Sequence, residues 1–499
     1  MTGRAALVEG ILLALSPHGI ASMLAGGAIG LVLGILPGLG PVFGVALLLP
    51  FTFWMPPHLG LVFLASLYAC CVYGGSIPAV LLGIPGTTGS ITTVFDGHEL
   101  AKQGRAGIGL GLSVTSSLVG GVFGVVSLGV LAPLLAEFAL TFSPADFFAL
   151  AVLGLSMVAV ASKGDTAKGI VLGALGILLS SVGVDPITGD DRFTFGIDYL
   201  SGGIPFVPAV VGLFALSQAL LLAEKGRRIA RPPRVTGGVS EGIMETLRHP
   251  FVLLKNSLLG VGLGVIPGVG ISITNFIAYL VQKRSSPDPD SFGKGNPLGV
   301  IAPETANSAC VAAELVPAFA LGIPGGATSA IFLAAINSYG LRPGYAFFSE
   351  AGAVAWALVT GLFIAQFVFF LIGAFGANWF AKVTLVPSAV LVPVIMALSF
   401  IGGIVDRSMF ADIIIVLLFG ILGYVLHKGA FPIACLILGM ILGPLVEENF
   451  YRAMIISQND FRIFVSSPIS ITLWLVMAVA FLWGFVPVTD WFRKLKMRS

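Results

Sequence analysis

The stretch "LGILPGLGPVF", residues 33–43, places glycines and prolines inside an otherwise apolar run. Proline removes a main-chain N–H and blocks the preceding helical turn, while glycine opens conformations that other residues rarely adopt. A closely similar stretch, "LGVIPGVGISI", recurs at residues 263–273. The pair indicates two apolar helices that are each interrupted at the same kind of break.

The composition around these breaks is that of a membrane protein. Of the 499 residues, 57% are hydrophobic and 10% are charged, against about 25% charged in soluble domains. No acidic residue, lysine or arginine occurs between Glu9 and Asp96, and a helix needs roughly 20 apolar residues to span a bilayer. We therefore predict an all-α polytopic membrane protein with about 11 or 12 transmembrane helices and paired re-entrant hairpins.

The polar features of the chain exclude several classes of ligand. The net charge of +2 gives no indication of a nucleic-acid partner, and the four cysteines lie in apolar segments without zinc or disulfide spacing. The histidines are isolated, and no phosphate-binding loop of the ATPase type is present. We expect no cofactor.

A second pair of breaks follows the first in the same order. "VLLGIPGTTGS" (80–90) matches "FALGIPGGATS" (319–329). The order predicts two repeat-related membrane halves, residues 1–223 and 251–499, joined by a basic linker at 224–250.

Charge in the loops predicts the topology. The linker contains an excess of arginine, and the C-terminal "RKLKMRS" (493–499) is basic, so both are expected in the cytoplasm. The segment 183–198 holds four aspartates and one arginine, and we expect it on the side of the membrane opposite the cytoplasm.

Helix breaks at corresponding positions of two halves are typical of the binding site of a secondary transporter. The N–H end of a broken helix suits a carboxylate, and its carbonyl end suits a cation such as Na⁺. A kink that only shapes packing is the alternative for any one motif, and helix capping or packing is the alternative for each hydroxyl residue. The predicted solute-binding residues are Gly38, Gly40, Ser76, Gly86, Thr87, Thr88, Ser90, Gly268, Gly270, Ser272, Asn275, Asn307, Gly325, Thr328 and Ser329.

One acidic residue is a candidate for ion coupling. Glu304, in "APETANSA", lies in an apolar stretch one helical turn before Asn307. Ionisable groups at membrane depth are expected to be functional. The alternative is that Pro303 and Glu304 open a helix, where both residue types are favoured.

At these motifs the chain resembles the large membrane subunit of the bacterial tripartite tricarboxylate transporters. The resemblance spans nearly the whole chain in the right order. It rests on "LPGLGPVFGVALLLPFTF" (36–53), "YGGSIPAVLLGIPG" (73–86), "DGHELAKQG" (96–104), "PETANSA" (303–309), "ELVPAFALGIPG" (314–325) and "GLRPG" (340–344). Two positions depart from the family pattern: Ser308 replaces the second of two paired asparagines, and Gly83 stands where many members have asparagine.

The resemblance implies a function and its partners. A periplasmic binding protein would deliver a tri- or dicarboxylate, and a small four-helix membrane subunit would accompany this chain in the bacterial inner membrane. Import would be driven by a Na⁺ or H⁺ gradient without ATP. Inverted repeats are also implied, by the family's likeness to other ion-coupled carboxylate carriers.

Two other functional classes remain open from the residues alone. A membrane-embedded enzyme acting on a lipid-linked substrate would carry clustered acids, histidines or cationic residues at membrane depth, and the breaks here are nearly free of charge. A channel or a lipid flippase would also use broken helices. The motifs favour a transporter over an enzyme.

Overall fold

A computed structural model of the chain describes residues 3–161, 166–185, 188–225, 237–380, 383, 386–405 and 407–485. These residues are almost wholly helical. Up to the linker the helices are α1 (Gly3–Leu15), α2 (Pro17–Ile35), α3 (Pro41–Thr52), α4 (Pro57–Gly74), α5 (Ser76–Leu82), α6 (Thr93–Lys102), α7 (Ala106–Phe138), α8 (Pro144–Ala161), α9 (Thr166–Ser180), α10 (Asp198–Ser201), α11 (Phe206–Val210) and α12 (Ser217–Lys225).

The remaining helices follow in the second part of the chain. They are α13 (Val239–Leu247), α14 (Pro250–Gly264), α15 (Gly270–Ser285), α16 (Leu298–Ala313), α17 (Leu315–Leu321), α18 (Ala327–Ser338), α19 (Tyr345–Ser349), α20 (Gly352–Phe380), α21 (Ser388–Val405), α22 (Ala411–Lys428), α23 (Ile433–Ile456) and α24 (Pro468–Phe485).

Short irregular elements complete the fold. Turns of 3₁₀-helix lie at Thr88–Ser90, Ala139–Thr141, Pro289–Ser291 and Phe461–Val465, and one π-helical segment covers Val211–Leu216. Strands β1 (Gly183–Val184) and β2 (Asp191–Arg192) pair antiparallel, with Gly183 opposite Arg192 and Val184 opposite Asp191. A small β-hairpin therefore begins the segment 183–198, which we expect on the side of the membrane opposite the cytoplasm.

The described residues contain eight helices long and apolar enough to cross a membrane. They are Pro17–Ile35, Pro57–Leu82, Ala106–Thr141, Phe206–Glu224, Gly352–Gly376, Ser388–Val405, Ala411–Lys428 and Ile433–Ile456. The described residues also form shorter apolar helices, such as Pro41–Thr52 and Pro250–Gly264. The all-α polytopic class is confirmed, while a total of about 11 or 12 crossings stays a prediction.

Both glycine–proline stretches interrupt a helix, as predicted. Helix α2 ends at Ile35 and α3 begins at Pro41, and between them Gly38 has a φ of 92°. Helix α14 ends at Gly264 and α15 begins at Gly270, with Gly268 at a φ of 88°. Positive φ is costly for residues with a β-carbon, so glycine is required at both turns.

The two breaks of the second pair also share one backbone conformation. Helix α5 ends at Leu82, where Gly83 is left-handed with a φ of 68°, and α17 ends at Leu321, where Gly322 has a φ of 71°. A left-handed glycine after the last turn is a common helix stop. The two halves thus share their local breaks, whereas the repeat relation and its inversion stay predictions.

Glycine lets α2, the helix before the first break, approach α4 closely. β-Carbons built on Gly26, Gly30 and Gly34 of α2 would lie 2.2, 2.2 and 2.1 Å from main-chain carbonyl oxygens of α4. No hydrophobic driving force brings helices together in lipid, so close packing along such stripes of small residues stabilises their association instead. The abundance of glycine therefore serves packing as well as breaks.

The contacts within the chain form two compact units. One contains residues 1–136 and 207–424, and the other contains residues 137–206 and 425–499. All four breaks lie in the first unit. The units follow spatial contacts rather than sequence similarity, so the division into halves at the linker stays a prediction.

The linker is only partly described. Residues 226–236, which carry most of its arginines, and the basic C-terminal segment 493–499 lie outside the described residues. Helix α13 forms the remainder and packs on α7, where a β-carbon on Gly242 would lie 2.3 Å from the Ile108 carbonyl oxygen. The cytoplasmic side assigned to both segments stays a prediction.

One buried carboxylate anchors the polar loop that precedes α16. Asp96 Oδ1 accepts hydrogen bonds from the main-chain N–H groups of Gly293 (2.8 Å), Gly295 (3.0 Å) and Asn296 (2.8 Å). Its Oδ2 accepts from the Tyr279 hydroxyl at 3.0 Å. The Asp96 side chain is fully buried.

We expect Asp96→Asn to loosen this loop. Hydrogen bonds to an ionised group are stronger than neutral ones, so the free energy that holds the loop in place should fall by about 1–3 kcal/mol. Hydrogen exchange at residues 293–296 should accelerate, while Asp290→Asn, an exposed position of the same loop, should leave it unchanged. Equal exchange in both variants would contradict the anchoring role.

Candidate functional site

The first hairpin loop, residues 83–92, is held by helices from the second half of the chain. The Asn275 side chain on α15 donates from Nδ2 to the Gly89 carbonyl oxygen at 2.5 Å, and its Oδ1 accepts from the Thr92 hydroxyl and main-chain N–H. Asn307 on α16 lies against the same glycine, because a β-carbon on Gly89 would be 2.4 Å from its Oδ1. The tertiary fold therefore brings two predicted asparagines to one loop.

The two asparagines differ in what they bind. Asn275 is fully buried with its amide oxygen and nitrogen both bonded to the loop, so it acts as a structural clamp. Asn307 is also fully buried, yet neither amide atom has a hydrogen-bond partner in the described part of the chain. An unpaired buried polar group costs about 1–3 kcal/mol, which a bound solute can recover.

Hydroxyl groups at the hairpins divide in the same way. Ser90 donates to the Thr87 carbonyl oxygen and accepts from the Thr87 main-chain N–H, and Ser329 makes the same two bonds with Gly326. These serines cap their helical turns, which is the alternative weighed for them from sequence. By contrast, the buried Thr87 hydroxyl donates no hydrogen bond to a described residue, and the buried Ser76 hydroxyl lies at the Glu304 carboxyl group without a regular hydrogen bond.

Two physical reasons, positive φ and close packing, account for all the predicted glycines except Gly40. Gly38, Gly268 and Gly270 have positive φ. Gly86 and Gly325 are packed against main chain, since added β-carbons would lie 2.2 Å from the Gly34 oxygen and 2.6 Å from the Glu314 oxygen. At Gly40 and at Gly270 an added β-carbon would meet nothing within 4 Å, so both have open space beside them.

Some main-chain groups freed by the breaks are already paired. The Gly268 N–H donates to the Gly325 carbonyl oxygen at 2.8 Å, and the Gly86 N–H donates to the Gly75 oxygen at 3.1 Å. The Gly38 oxygen accepts from the Gln218 side chain at 2.6 Å. This carbonyl group at a helix break therefore has a protein donor, although a carbonyl oxygen retains a second lone pair.

The remaining predicted residues are less involved. Thr88 is exposed, Ser272 is half-buried, and Thr328 is buried near the Tyr68 hydroxyl. The structure gives Ser272 and Thr88 no side-chain hydrogen bond among the described contacts. Their assignment to solute binding stays a prediction.

Glu304 lies in the interior of α16, because that helix begins at Leu298 rather than at Pro303. The side chain is fully buried, and its carboxyl oxygens accept from the Thr93 hydroxyl at 2.5 Å and the Ser117 hydroxyl at 2.9 Å. The helix-opening alternative does not describe this position. Coupling of an ion at Glu304 stays a prediction.

Sequence reasoning missed several of these partners. Thr93 follows the first hairpin loop, and Ser117 belongs to the hydroxyl-rich run "SVTSS" (113–117) within the apolar helix α7. That run could have indicated a polar partner, since hydroxyl groups clustered at membrane depth need a polar neighbour. Tyr68, which donates to the Glu314 carboxyl at 2.6 Å, had no comparable signal.

Comparison with known proteins assigns the family. The model of the "Tripartite tricarboxylate transporter TctA family" matches residues 20–438. This chain belongs to that family. It is a multi-pass membrane subunit of a tripartite tricarboxylate transporter and not an enzyme.

Two similar proteins come from Agrobacterium vitis. An "Uncharacterized 52.8 kDa protein in TAR-I ttuC' 3'region" is 34% identical over 462 residues, covering 92% of each chain. An "Uncharacterized protein in TAR-II ttuC' 3'region" is 34% identical over 211 residues, covering 42% of this chain and 87% of its own. No solved structure matches this chain.

We expect Gly38→Val and Gly268→Val each to abolish transport while the protein still inserts. A β-branched residue at these φ values carries strain of about 1–3 kcal/mol, which would re-shape the break. Uptake and membrane insertion should be measured together. Gly262→Val is the matched control, because Gly262 is exposed on α14 and an added β-carbon meets nothing within 4 Å. Normal uptake by both break variants would contradict a site at the hairpins.

Proposed function

We propose that this chain imports a tri- or dicarboxylate delivered by a periplasmic binding protein. A small four-helix membrane subunit completes the transporter in the bacterial inner membrane, and a Na⁺ or H⁺ gradient drives uptake. Family membership supports the three-component arrangement. The solute-binding site is the first hairpin loop together with the part of α16 that lies against it.

The unpaired amide of Asn307 is the observation that carries this proposal. Asn307 Nδ2 and the Thr87 hydroxyl are buried donors without protein acceptors in the described structure. Thr87 belongs to the first hairpin loop, and Asn307 lies against Gly89 of the same loop. Carboxylate oxygens accept from such donors. Because Asn307 and Thr87 come from different halves, a solute bound between them would contact both.

Coupling to a cation follows from charge. Glu304 precedes Asn307 by one helical turn, so an ionised Glu304 would repel an organic anion at Asn307. A Na⁺ or H⁺ bound at Glu304 removes that repulsion and favours solute binding. By linkage, bound solute favours the cation to the same degree.

Uptake into proteoliposomes tests the proposed function. The vesicles contain this chain and the small membrane subunit, and the binding protein is added with radiolabelled tri- and dicarboxylates. We expect accumulation above equilibrium only with an inward Na⁺ or H⁺ gradient. Equilibration without a gradient would indicate a channel, and no uptake of any carboxylate would contradict the proposal.

Asn307→Ala and Asn275→Ala should separate binding from folding. Removal of the unpaired Asn307 amide deletes no protein hydrogen bond, so we expect unchanged or higher thermal stability with uptake reduced at least about tenfold. Asn275→Ala removes the bonds to Gly89 and Thr92 and should lower the free energy of unfolding by about 1–3 kcal/mol. Thermal unfolding and uptake of both purified variants are the measurements, and a stability loss confined to Asn307→Ala would reverse the assignment.

A further inference from the structure

The Glu304 carboxyl group is enclosed by hydroxyl groups from three other helices. Thr93 on α6 and Ser117 on α7 donate to its two oxygens at 2.5 and 2.9 Å. The hydroxyls of Ser76 on α5 and Ser113 on α7 face the same carboxyl group. Four hydroxyl oxygens and a carboxylate therefore converge at one buried point.

Two of these hydroxyls lie at the carboxyl group without a regular hydrogen bond. Ser76 and Ser113 are buried and close to Glu304, yet neither meets hydrogen-bond geometry with any described residue. Buried polar groups in native proteins are almost always paired, so each exception calls for an explanation. A bound ion satisfies both oxygens at once, because a hydroxyl coordinates a cation through a lone pair while its hydrogen points elsewhere.

Within the described residues, the carboxylate has no protein counter-charge. Among the residues that the structure describes, no lysine, arginine or histidine forms an ion pair with Glu304. An isolated ionised carboxylate is very costly to bury, and such groups are normally paired or coordinate a metal ion. Hard monovalent and divalent cations prefer oxygen ligands of the kind present here.

We propose that this cluster is a sodium-binding site. The ion is held by the carboxylate of Glu304 and by hydroxyl oxygens of the residues around it, which are Ser76, Ser113, Thr93 and Ser117. Its part in coupling rests on the proposed function, whereas the binding of sodium does not.

A second buried carboxyl group in the same unit shows why this cluster suits a metal ion rather than a proton alone. Glu314 accepts from the Tyr68 hydroxyl at 2.6 Å, and its other oxygen lies beside the Gly326 main chain, 3.0 Å from the position of an added β-carbon. One hydroxyl donor provides too few oxygens for a coordination shell. The Glu304 cluster provides at least five.

Thermal unfolding of the purified full-length chain tests sodium binding without solute or partner subunits. Replacing K⁺ by Na⁺ at constant ionic strength should raise the melting temperature in a saturable way, because an ion that binds the folded state stabilises it. Glu304→Gln should abolish this Na⁺-dependent shift. The double variant Ser76→Ala with Ser113→Ala should raise the half-saturating Na⁺ concentration about tenfold or more.

Glu314→Gln is the matched control, since it replaces another buried glutamate and should retain the Na⁺-dependent shift. The proposal fails if wild type shows no Na⁺-specific shift, or if Glu304→Gln keeps it. A shift produced by acidification instead of Na⁺ would also overturn it and assign a proton to Glu304. A chain that binds Na⁺ yet takes up no carboxylate would refute the proposed function alone.

Discussion

A helix broken at membrane depth must satisfy the main-chain groups that the break releases, because hydrocarbon offers no partner. In this chain some of the freed groups form hydrogen bonds with other main-chain groups. The Gly86 N–H bonds to the Gly75 oxygen, and the Gly268 N–H bonds to the Gly325 oxygen. Ser90 and Ser329 cap the turns that follow. Near the first hairpin, the Thr87 hydroxyl and the Asn307 amide are buried side-chain groups without a regular hydrogen bond in the described part of the chain, and the proposed binding depends on them.

Close packing of glycine makes that pairing geometrically feasible. Gly86 fits against the Gly34 carbonyl, and Gly89 fits against the Asn307 amide, at distances that exclude a β-carbon in both cases. The helices can therefore approach until loop and helix main chains are in contact. A larger residue at either position would displace the loop that carries Thr87. The glycine content is thus a requirement of the site as much as of the membrane.

Two buried glutamates show how the surroundings assign different properties to one residue type. Glu304 is enclosed by hydroxyls from α5, α6 and α7, while Glu314 has a single tyrosine donor. In the proposed transporter, charge at Glu304 decides whether an organic anion is tolerated one helical turn away. A cation that neutralises this carboxylate is then a condition for solute binding. Such differential interaction is what couples two ligands thermodynamically.

The sequence by itself determined the membrane class and the four helix breaks, because apolar length and glycine–proline chemistry act over a few residues. It also drew attention to Asn307 and Glu304. Only the tertiary structure decided that Asn275 is a clamp while Asn307 is unpaired, and that Thr93 and Ser117 surround Glu304. Those bonds join residues 211 and 187 positions apart in the chain. No local pattern encodes such pairings, since they exist only after separate helices have packed together.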